Sequence, residues 1–358
     1  MKALLWLTEA MEKHKPFIAM IFIQFVYAGM SLFSKASMSS GMKHSVFVAY
    51  RQGFATLALA PFAFFLESNK KVPLSCNLVC KIFFTSLCGL TLSLNLYYLG
   101  IKYTSATFAT ASTNTIPAVV FIMAVLLRME SVYIRQRHGI AKVFGSAVGF
   151  SGAMVFTFIK GPPIYSGIEK EVSESTKNTS SKEDWIKGAL LMFGSTLTWS
   201  LWLIIQRPLM KQYPAKIRLT TMQIFFSCII STLWSVAKDR DISLWKLGWD
   251  VNLISLLYCG VIVTGITYWL QVWAVEKKGP VFTSVFSPLA LVITAILSAV
   301  FFKETLHWGS ACGAMLLVGG LYSFLWGKSK EEKSQKNEEK SEAKEEVLAE
   351  MDSINVHK

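Results

Sequence analysis

Ten long apolar stretches dominate this sequence, and they fall into two sets of five. The first set lies within residues 17–159 and the second within residues 185–326. Each stretch has about 20 residues, which is enough for a helix to cross the roughly 30 Å of hydrocarbon in a bilayer. The ranges predicted for the ten helices are 17–38, 44–66, 76–100, 104–127, 139–159, 185–206, 218–238, 251–274, 280–302 and 307–326.

The two sets repeat one another in sequence. Pairs that match at an offset of 171 to 174 positions include Gln52 with Gln223, Cys88-Gly89 with Cys259-Gly260, and Gly145 with Gly319. Because five is odd, the second set enters the membrane in the opposite orientation to the first. The sequence therefore predicts an all-α membrane protein of ten transmembrane helices, arranged as two inverted five-helix repeats. Secondary transporters commonly have this architecture and place the solute site near the bilayer midplane.

The composition excludes a soluble domain. Hydrophobic residues make up 53% of the chain and charged residues 16%, whereas soluble domains carry about 25% charged residues. The net charge of +13 does not indicate a nucleic-acid partner, because the basic residues follow positive-inside sorting. Fourteen lie in short segments that we place in the cytosol, against six in the outer short loops. The apolar runs are also too long for the strands of a β-barrel.

Five segments follow from this topology. We predict a cytosolic N-terminus (1–16), a first repeat (17–159), an extracytosolic loop (160–184), a second repeat (185–326) and a charged cytosolic tail (327–358). The loop holds an N-glycosylation sequon at Asn178, which is useful only on the outer face. The tail is rich in Lys and Glu, so it should be disordered or loosely helical. Met11 is an alternative to Met1 as the start of the chain.

Several motifs resemble one family of plant transporters. They are QFVYAG at 24–29, YLGIKYTSATF at 98–108, WSLW at 199–202, KKGPVF at 277–282 and GGLYSFLWGK at 319–328. These motifs are similar to those of the nodulin-21-like, Walls-Are-Thin-related transporters, which are built from EamA domains and belong to the drug/metabolite transporter superfamily. The resemblance implies a ten-helix protein similar to amino-acid facilitators and exporters, with one branch of the family linked to auxin.

Arg51 is the sharpest candidate for contact with a solute. It lies within the second predicted helix, and an arginine inside a membrane is rare and often functional. Its forked donors suit a carboxylate. The alternative is structural, with Arg51 paired to Glu304 or to carbonyls at a helix end. Lys35 lies nearer the outer surface, where it would either contact the solute or only snorkel.

Polar and aromatic side chains near mid-depth form the rest of the predicted substrate-binding site. They are Gln24, Tyr27, Asn95, Tyr98, Thr110, Asn114, Trp199, Trp202, Gln206, Gln223, Tyr268 and Gln271. Together, amides and aromatic rings would hold a small amphipathic molecule. The alternative is that the amides only connect helices. Pro117 and Pro288 fall inside the fourth and ninth predicted helices, where each is either a gate hinge or a packing bend.

The placement of ionisable residues bears on energy coupling. No Asp or Glu lies deep in a predicted helix, and the five His residues lie at helix ends or in the termini. Proton-driven carriers usually place a titratable group on the solute path, so facilitated diffusion is favoured over proton coupling. An enzyme would need paired carboxylates, a metal cluster or an activated nucleophile in the core. We therefore expect no enzymatic activity, cofactor or metal; a receptor or scaffold is the non-transport alternative.

Glycines crowd the fifth and tenth predicted helices. They are Gly145, Gly149, Gly152, Gly309, Gly313, Gly319 and Gly320. Small residues allow helices to pack closely, so we predict an internal seam, with a homodimer face as the alternative. The expected function is transport of small amphipathic organic solutes, amino acids first, with auxin or another metabolite as the alternative. The plasma membrane is the expected location, and the vacuolar membrane is the alternative.

Overall fold

The computed structural model describes residues 2–67, 74–103, 112–129, 136–159, 162–165, 182–238, 245–302 and 306–356, and nearly all of them are helical. The helices of the first half are α1 (Lys2–Ser39), α2 (His44–Leu66), α3 (Cys76–Thr85), α4 (Leu92–Tyr103), α5 (Ile116–Leu126) and α6 (Arg137–Phe158). Those of the second half are α7 (Lys182–Gln212), α8 (Lys216–Lys238), α9 (Val251–Leu257), α10 (Tyr268–Lys278), α11 (Pro280–Val285), α12 (Leu289–Phe302) and α13 (Trp308–Val356).

Membrane-spanning length and apolar composition recur along the chain. Eight stretches of the described residues qualify as spans by both criteria. They are His14–Ser34, Cys76–Gly100, Arg137–Thr157, Glu183–Gln212, Lys216–Lys238, Val251–Lys278, Pro280–Leu297 and Trp308–Glu331. The second predicted helix, α2, has 23 residues, but Arg51 and Gln52 lower its hydropathy. The fourth predicted helix is described only from residue 112, and its apolar part, α5, has 11 residues. These two and the eight spans agree with the ten predicted helices.

The outer surface of the bundle is apolar. Phe62, Phe64 and Phe65 on α2 are more than half exposed, as are Phe84 on α3 and Trp234 on α8. Large apolar patches are unfavourable in water but are the normal exterior of a protein dissolved in hydrocarbon. The prediction of an all-α membrane protein is confirmed, whereas the membrane orientation and the segment boundaries stay predictions.

A π-helical segment interrupts the third helix of each repeat. Ser86–Thr91 joins α3 to α4, and Tyr258–Thr267 joins α9 to α10. Each segment contains the Cys-Gly pair by which the repeat was found in the sequence. At Gly89, a Cβ atom would lie 2.6 Å from the Cβ of Trp202, so the backbone approaches α7 as closely as only glycine allows. Segments of this kind often occur at functional sites.

The fourth and ninth predicted helices are tightened by turns near their prolines. The Thr115 N–H donates to the Ser112 carbonyl at 3.1 Å, and the Leu289 N–H donates to the Phe286 carbonyl at 2.9 Å, both over three residues rather than four. Pro117 lies in the first turn of α5, and Pro288 lies in the turn between α11 and α12. Proline lacks an N–H and its ring clashes with the preceding turn. Whether these bends act as gate hinges stays a prediction.

Helices α6 and α13 form the most closely packed pair of helices among the described elements. At Gly320, a Cβ atom would lie 2.4 Å from the backbone nitrogen of Gly149, so the two helix backbones nearly touch. At one end of this seam, Lys142 Nζ pairs with Glu331 Oε2 at 2.8 Å, with both side chains buried. The glycines therefore form a seam within the chain, as expected from the sequence, and the homodimer alternative is untested.

The remaining features lie outside the helical bundle. Two short strands, β1 (Pro163–Tyr165) and β2 (Leu306–His307), pair antiparallel. Helix α13 continues to residue 356, so the predicted tail is helical rather than disordered. Met1, Thr110, Asn178 and Glu304 lie outside the described residues, and Lys35 lies within α1.

Candidate substrate-binding site

A cavity of about 340 Å³ lies between the two repeats. Helices α1, α2 and α4 line it from the first repeat, together with residues that precede and begin α5. Helices α7, α10 and α12 line it from the second repeat. The volume falls in the usual range for small-molecule sites, about 300–1,000 Å³. Helices α6 and α13 contribute none of the described lining, so the tight seam stands apart from the cavity.

Of the thirteen residues predicted to bind the solute, Thr110 lies outside the described residues and eight line this cavity. They are Gln24, Tyr27, Arg51, Tyr98, Asn114, Trp199, Tyr268 and Gln271. They come from six different helices or turns and are more than 200 positions apart in sequence at the extremes. The fold thus brings together side chains that were predicted only from their depth in the membrane.

Arg51 lies in this cavity with its side chain almost fully buried, at 2% exposure. Its Nε–H donates to Thr264 Oγ1 at 2.6 Å, and Nη2 donates to the Tyr268 hydroxyl at 3.4 Å. Both partners are neutral, and no described lining residue of the cavity is an Asp or a Glu. A guanidinium has five N–H donors. Arg51 therefore places a positive charge in the cavity and retains donors that an anionic group of a solute would accept.

Three amide side chains around Arg51 have polar atoms that make no hydrogen bond within the described part of the chain. They are both amide atoms of Gln24, Nδ2 of Asn114 and Oε1 of Gln271. Buried polar groups are nearly always paired with protein, water or ligand, because leaving one unpaired costs about 1–3 kcal/mol. These atoms are therefore placed to bind water or the polar groups of a solute.

Aromatic rings form one wall of the cavity. The Trp199 ring lies 5.0 Å from the Trp202 ring at an interplanar angle of 29°, and 5.5 Å from the Tyr268 ring at 62°. Trp199 and Tyr268 face the cavity, while Trp202 supports them from behind. On the opposite repeat, Tyr98 lines the cavity and stacks on His44 at 5.3 Å. Such rings offer flat apolar surfaces to an organic solute.

The other four predicted residues lie outside the cavity. Asn95 Nδ2 donates to the Thr91 carbonyl of its own helix at 2.8 Å. Gln206 and Gln223 exchange hydrogen bonds at 3.3 Å, and Trp202 Nε1 donates to Gln223 Oε1 at 3.2 Å. These three buried side chains connect α7 to α8. For Gln206 and Gln223 the structure therefore shows the alternative role, in which amides connect helices. Because these side chains bond one another, they leave few free donors or acceptors for a solute.

Several small hydroxyl residues of the lining were not predicted from the sequence. They are Ser93, Thr113, Ser195, Thr196, Ser287 and Thr294. Some of them connect helices, since Ser195 Oγ donates to the Ser93 carbonyl at 2.8 Å. Ser195 and Thr196 lie one helical turn before Trp199. Helical spacing from the predicted residues was therefore the signal that would have found them.

Comparison with known proteins agrees with this architecture. The sequence matches the EamA-like transporter family over residues 14–152 and 186–326, which is most of the chain and covers both repeats. This chain belongs to that family. It is 54% identical over 340 residues to WAT1-related protein At1g43650 of Arabidopsis thaliana, covering 94% of this chain and 97% of the relative.

Two further comparisons extend this assignment. Protein WALLS ARE THIN 1 of Arabidopsis thaliana is 36% identical over 333 residues, covering 90% of this chain and 85% of that protein. A solved crystal structure shares the fold with a TM-score of 0.65 at 13% identity, covering 87% of this chain and 97% of the solved one. The chain is therefore a multi-pass transmembrane transporter of the WAT1-related group within the EamA-like family.

Proposed function

We propose that this EamA-like transporter moves small organic solutes that carry a carboxylate, amino acids first among them, through the cavity between its repeats. The observation that carries the proposal is Arg51, a buried cation whose hydrogen-bond partners within the described ranges are neutral. A buried charge is costly unless it is paired. A solute carboxylate would supply an opposite charge and accept the two parallel bonds that a guanidinium offers.

Helix ends add to the positive character of the cavity. Asn114 and Ile116, at the start of α5, and Ser287 and Ala290, at the start of α12, all belong to the lining. The N-terminal end of a helix carries a partial positive charge, and transporters often direct such ends at an anionic solute near the midplane. Two helix starts and one arginine would thus favour an anionic group at the same place.

The remaining lining fits the rest of an amphipathic molecule. Gln24 and Gln271 present amide atoms for polar groups, and Trp199, Tyr98 and Tyr268 present ring faces for an apolar body. The amide oxygens and ring faces would accept the ammonium of an amino acid. Movement would follow alternating access, with the bends near Pro117 and Pro288 as hinges. The plasma membrane is the location we propose, with the vacuolar membrane as the alternative.

A specific observation supports a second candidate, an aromatic monocarboxylate such as auxin. No carboxylate occurs among the lining residues within the described ranges, so an ammonium group would lack a charged partner there. A planar monoanion needs no such partner and would stack against the wall of Trp199 and Tyr268. The same cavity thus allows both solutes, and they differ in whether the amino group contributes to binding.

A flux assay separates these candidates. Purified protein in liposomes would be tested with a series of solutes that share a ring, namely an aromatic amino acid, its deaminated carboxylate and its decarboxylated amine. Transport of the amino acid but not of the amine supports the proposed function, and faster transport of the deaminated carboxylate favours the second candidate. Protein-dependent flux of the amine alone would reject carboxylate transport. No protein-dependent flux of any member would reject it too and would favour the receptor or scaffold alternative.

A further inference from the structure

A second cavity, distinct from the solute site, opens on the side of the bundle. It is a groove of about 510 Å³ between α3 and α7. Its wall on α3 is formed by one helical face that includes Cys80, Lys81 and Phe84, and all three are exposed. Its wall on α7 runs to Gln212 at the end of that helix. No described residue lines both this groove and the solute cavity.

The shape of the groove follows from how the two helices cross. At Gly89 the backbone of the π-helical segment touches Trp202, since a Cβ there would lie 2.6 Å from the tryptophan Cβ. From this contact the helices separate toward the start of α3 and the end of α7. Lys81 Nζ donates to Gln212 Oε1 at 3.0 Å and closes the wider end. The groove is therefore narrow and apolar at mid-depth, and it is polar at the end that holds Lys81 and Gln212.

The dimensions of the groove match one leaflet of a bilayer. Lys81 and Gly89 are eight residues apart, which corresponds to about 12 Å along a helix. Half of a hydrocarbon core is about 15 Å. A groove that reaches from the headgroup level to mid-depth and is exposed to the surrounding hydrocarbon has the form of a site for an acyl chain.

The charge at the wide end selects the headgroup. Lys81 is cationic, and no residue lining the described groove is acidic. An ammonium has three N–H donors, of which Gln212 takes one. Lysine beside a membrane attracts anionic lipid headgroups. The topology predicted from the sequence places this end of the bundle on the cytosolic side, where anionic lipids are concentrated.

We propose that the groove between α3 and α7 binds an anionic phospholipid, with an acyl chain along Phe84 and Gly89 and the headgroup phosphate on Lys81. The floor of the groove is Trp202, which stacks against Trp199 and Tyr268 of the solute cavity. The bound chain therefore packs against the back of the wall that the solute contacts. Lipid binding in this groove does not depend on which solute the protein transports.

The chain provides natural probes for this proposal. Cys80 is exposed and lines the groove, whereas Cys76 on the same helix and Cys312 on α13 are exposed and lie outside it. The wild-type protein would be reconstituted in nanodiscs of phosphatidylcholine with or without phosphatidylglycerol. Labelling by N-ethylmaleimide would then be followed at each cysteine by peptide mass spectrometry. Phosphatidylglycerol should slow labelling of Cys80 about fivefold, because an anionic surface attracts each lysine by about 1 kcal/mol.

Two variants and one soluble probe complete the experiment. Lys81→Gln should abolish the effect of phosphatidylglycerol on Cys80, while Lys238→Gln, at an exposed lysine on α8, should leave it intact. Glycerol phosphate, which offers the anion without the chain, should give no protection. The proposal is wrong if all three cysteines slow equally, if Cys80 does not respond to phosphatidylglycerol, if Lys81→Gln retains the protection, or if glycerol phosphate reproduces it.

Discussion

Replacing Arg51 tests the centre of the proposed site. Arg51→Gln keeps an N–H donor at the ε position and removes the charge together with the rest of the guanidinium. In the structure Arg51 makes two hydrogen bonds to neutral partners, Thr264 and Tyr268. A glutamine would replace at least one of them. The main loss would therefore be the contact with the solute carboxylate, which as a charge-assisted interaction contributes about 1.5–3 kcal/mol.

This energy sets the size of the expected effect. The apparent affinity for a carboxylate solute should fall about ten- to a hundredfold, since 1.4 kcal/mol corresponds to a tenfold change. Arg51→Lys should recover only part of the loss, because a point charge lacks the planar fork of the guanidinium. The measurement is initial flux against solute concentration in cells or liposomes, divided by the amount of protein at the surface.

A control separates binding from folding. Arg218 is another arginine of the bundle; its Nε–H donates to the Ala63 carbonyl at 3.1 Å, away from the cavity lining. Arg218→Gln makes the same change in charge and should leave the apparent affinity per molecule unchanged. If Arg51→Gln lowers only surface abundance and the remaining protein has normal affinity, the role of Arg51 is structural. A contact between Arg51 and a solute carboxylate would then be refuted.

Three further outcomes are expected. Gly320→Ala should lower the thermal midpoint of unfolding, because overpacking costs about 1–3 kcal/mol and the backbone of α6 cannot move aside. Gly319→Ala should be tolerated, because nothing lies within 4 Å of its Cβ position. Equal effects of the two variants in a melting assay would contradict the seam. Lys142→Met should destabilise by about 3–5 kcal/mol, and adding Glu331→Leu should restore most of the loss, so additive losses in the double variant would exclude a buried ion pair. Flux should persist when a protonophore collapses the proton gradient, because the predicted helices hold no deep carboxylate, and solute accumulation that the protonophore abolishes would disprove facilitated diffusion.

The amino-acid sequence alone determined the class of the protein and its pseudo-symmetry. Long apolar stretches can satisfy their backbone hydrogen bonds in hydrocarbon only as helices, so their number and length give the spans directly. The offset between Gln52 and Gln223 revealed the repeat without any structure. Arg51 was identifiable because a charge within a span is expensive and therefore informative.

The sequence could not decide which of the mid-depth side chains share a cavity. Position along a helix gives the depth of a residue, but the rotation of the helix about its axis decides which neighbour it meets. In a soluble protein the polar face reveals that rotation. Here the outer face is as apolar as the core, as the exposed phenylalanines of α2 show, so the pattern carries little rotational information.

Tertiary packing therefore made the assignments that the sequence left open. It paired Gln223 with Gln206 across two helices and left the amide atoms of Gln24 facing the cavity. It also introduced the π-helical segments, which no residue pattern indicated. They lie where Gly89 allows the backbone to approach Trp202 and where Gly260 allows it to approach Phe54. The helical spans thus follow from the hydrocarbon that each apolar segment must enter, and the repeat follows from the matched residues. The cavity and the groove depend on the rotation and crossing of helices, which only contacts between distant residues decide.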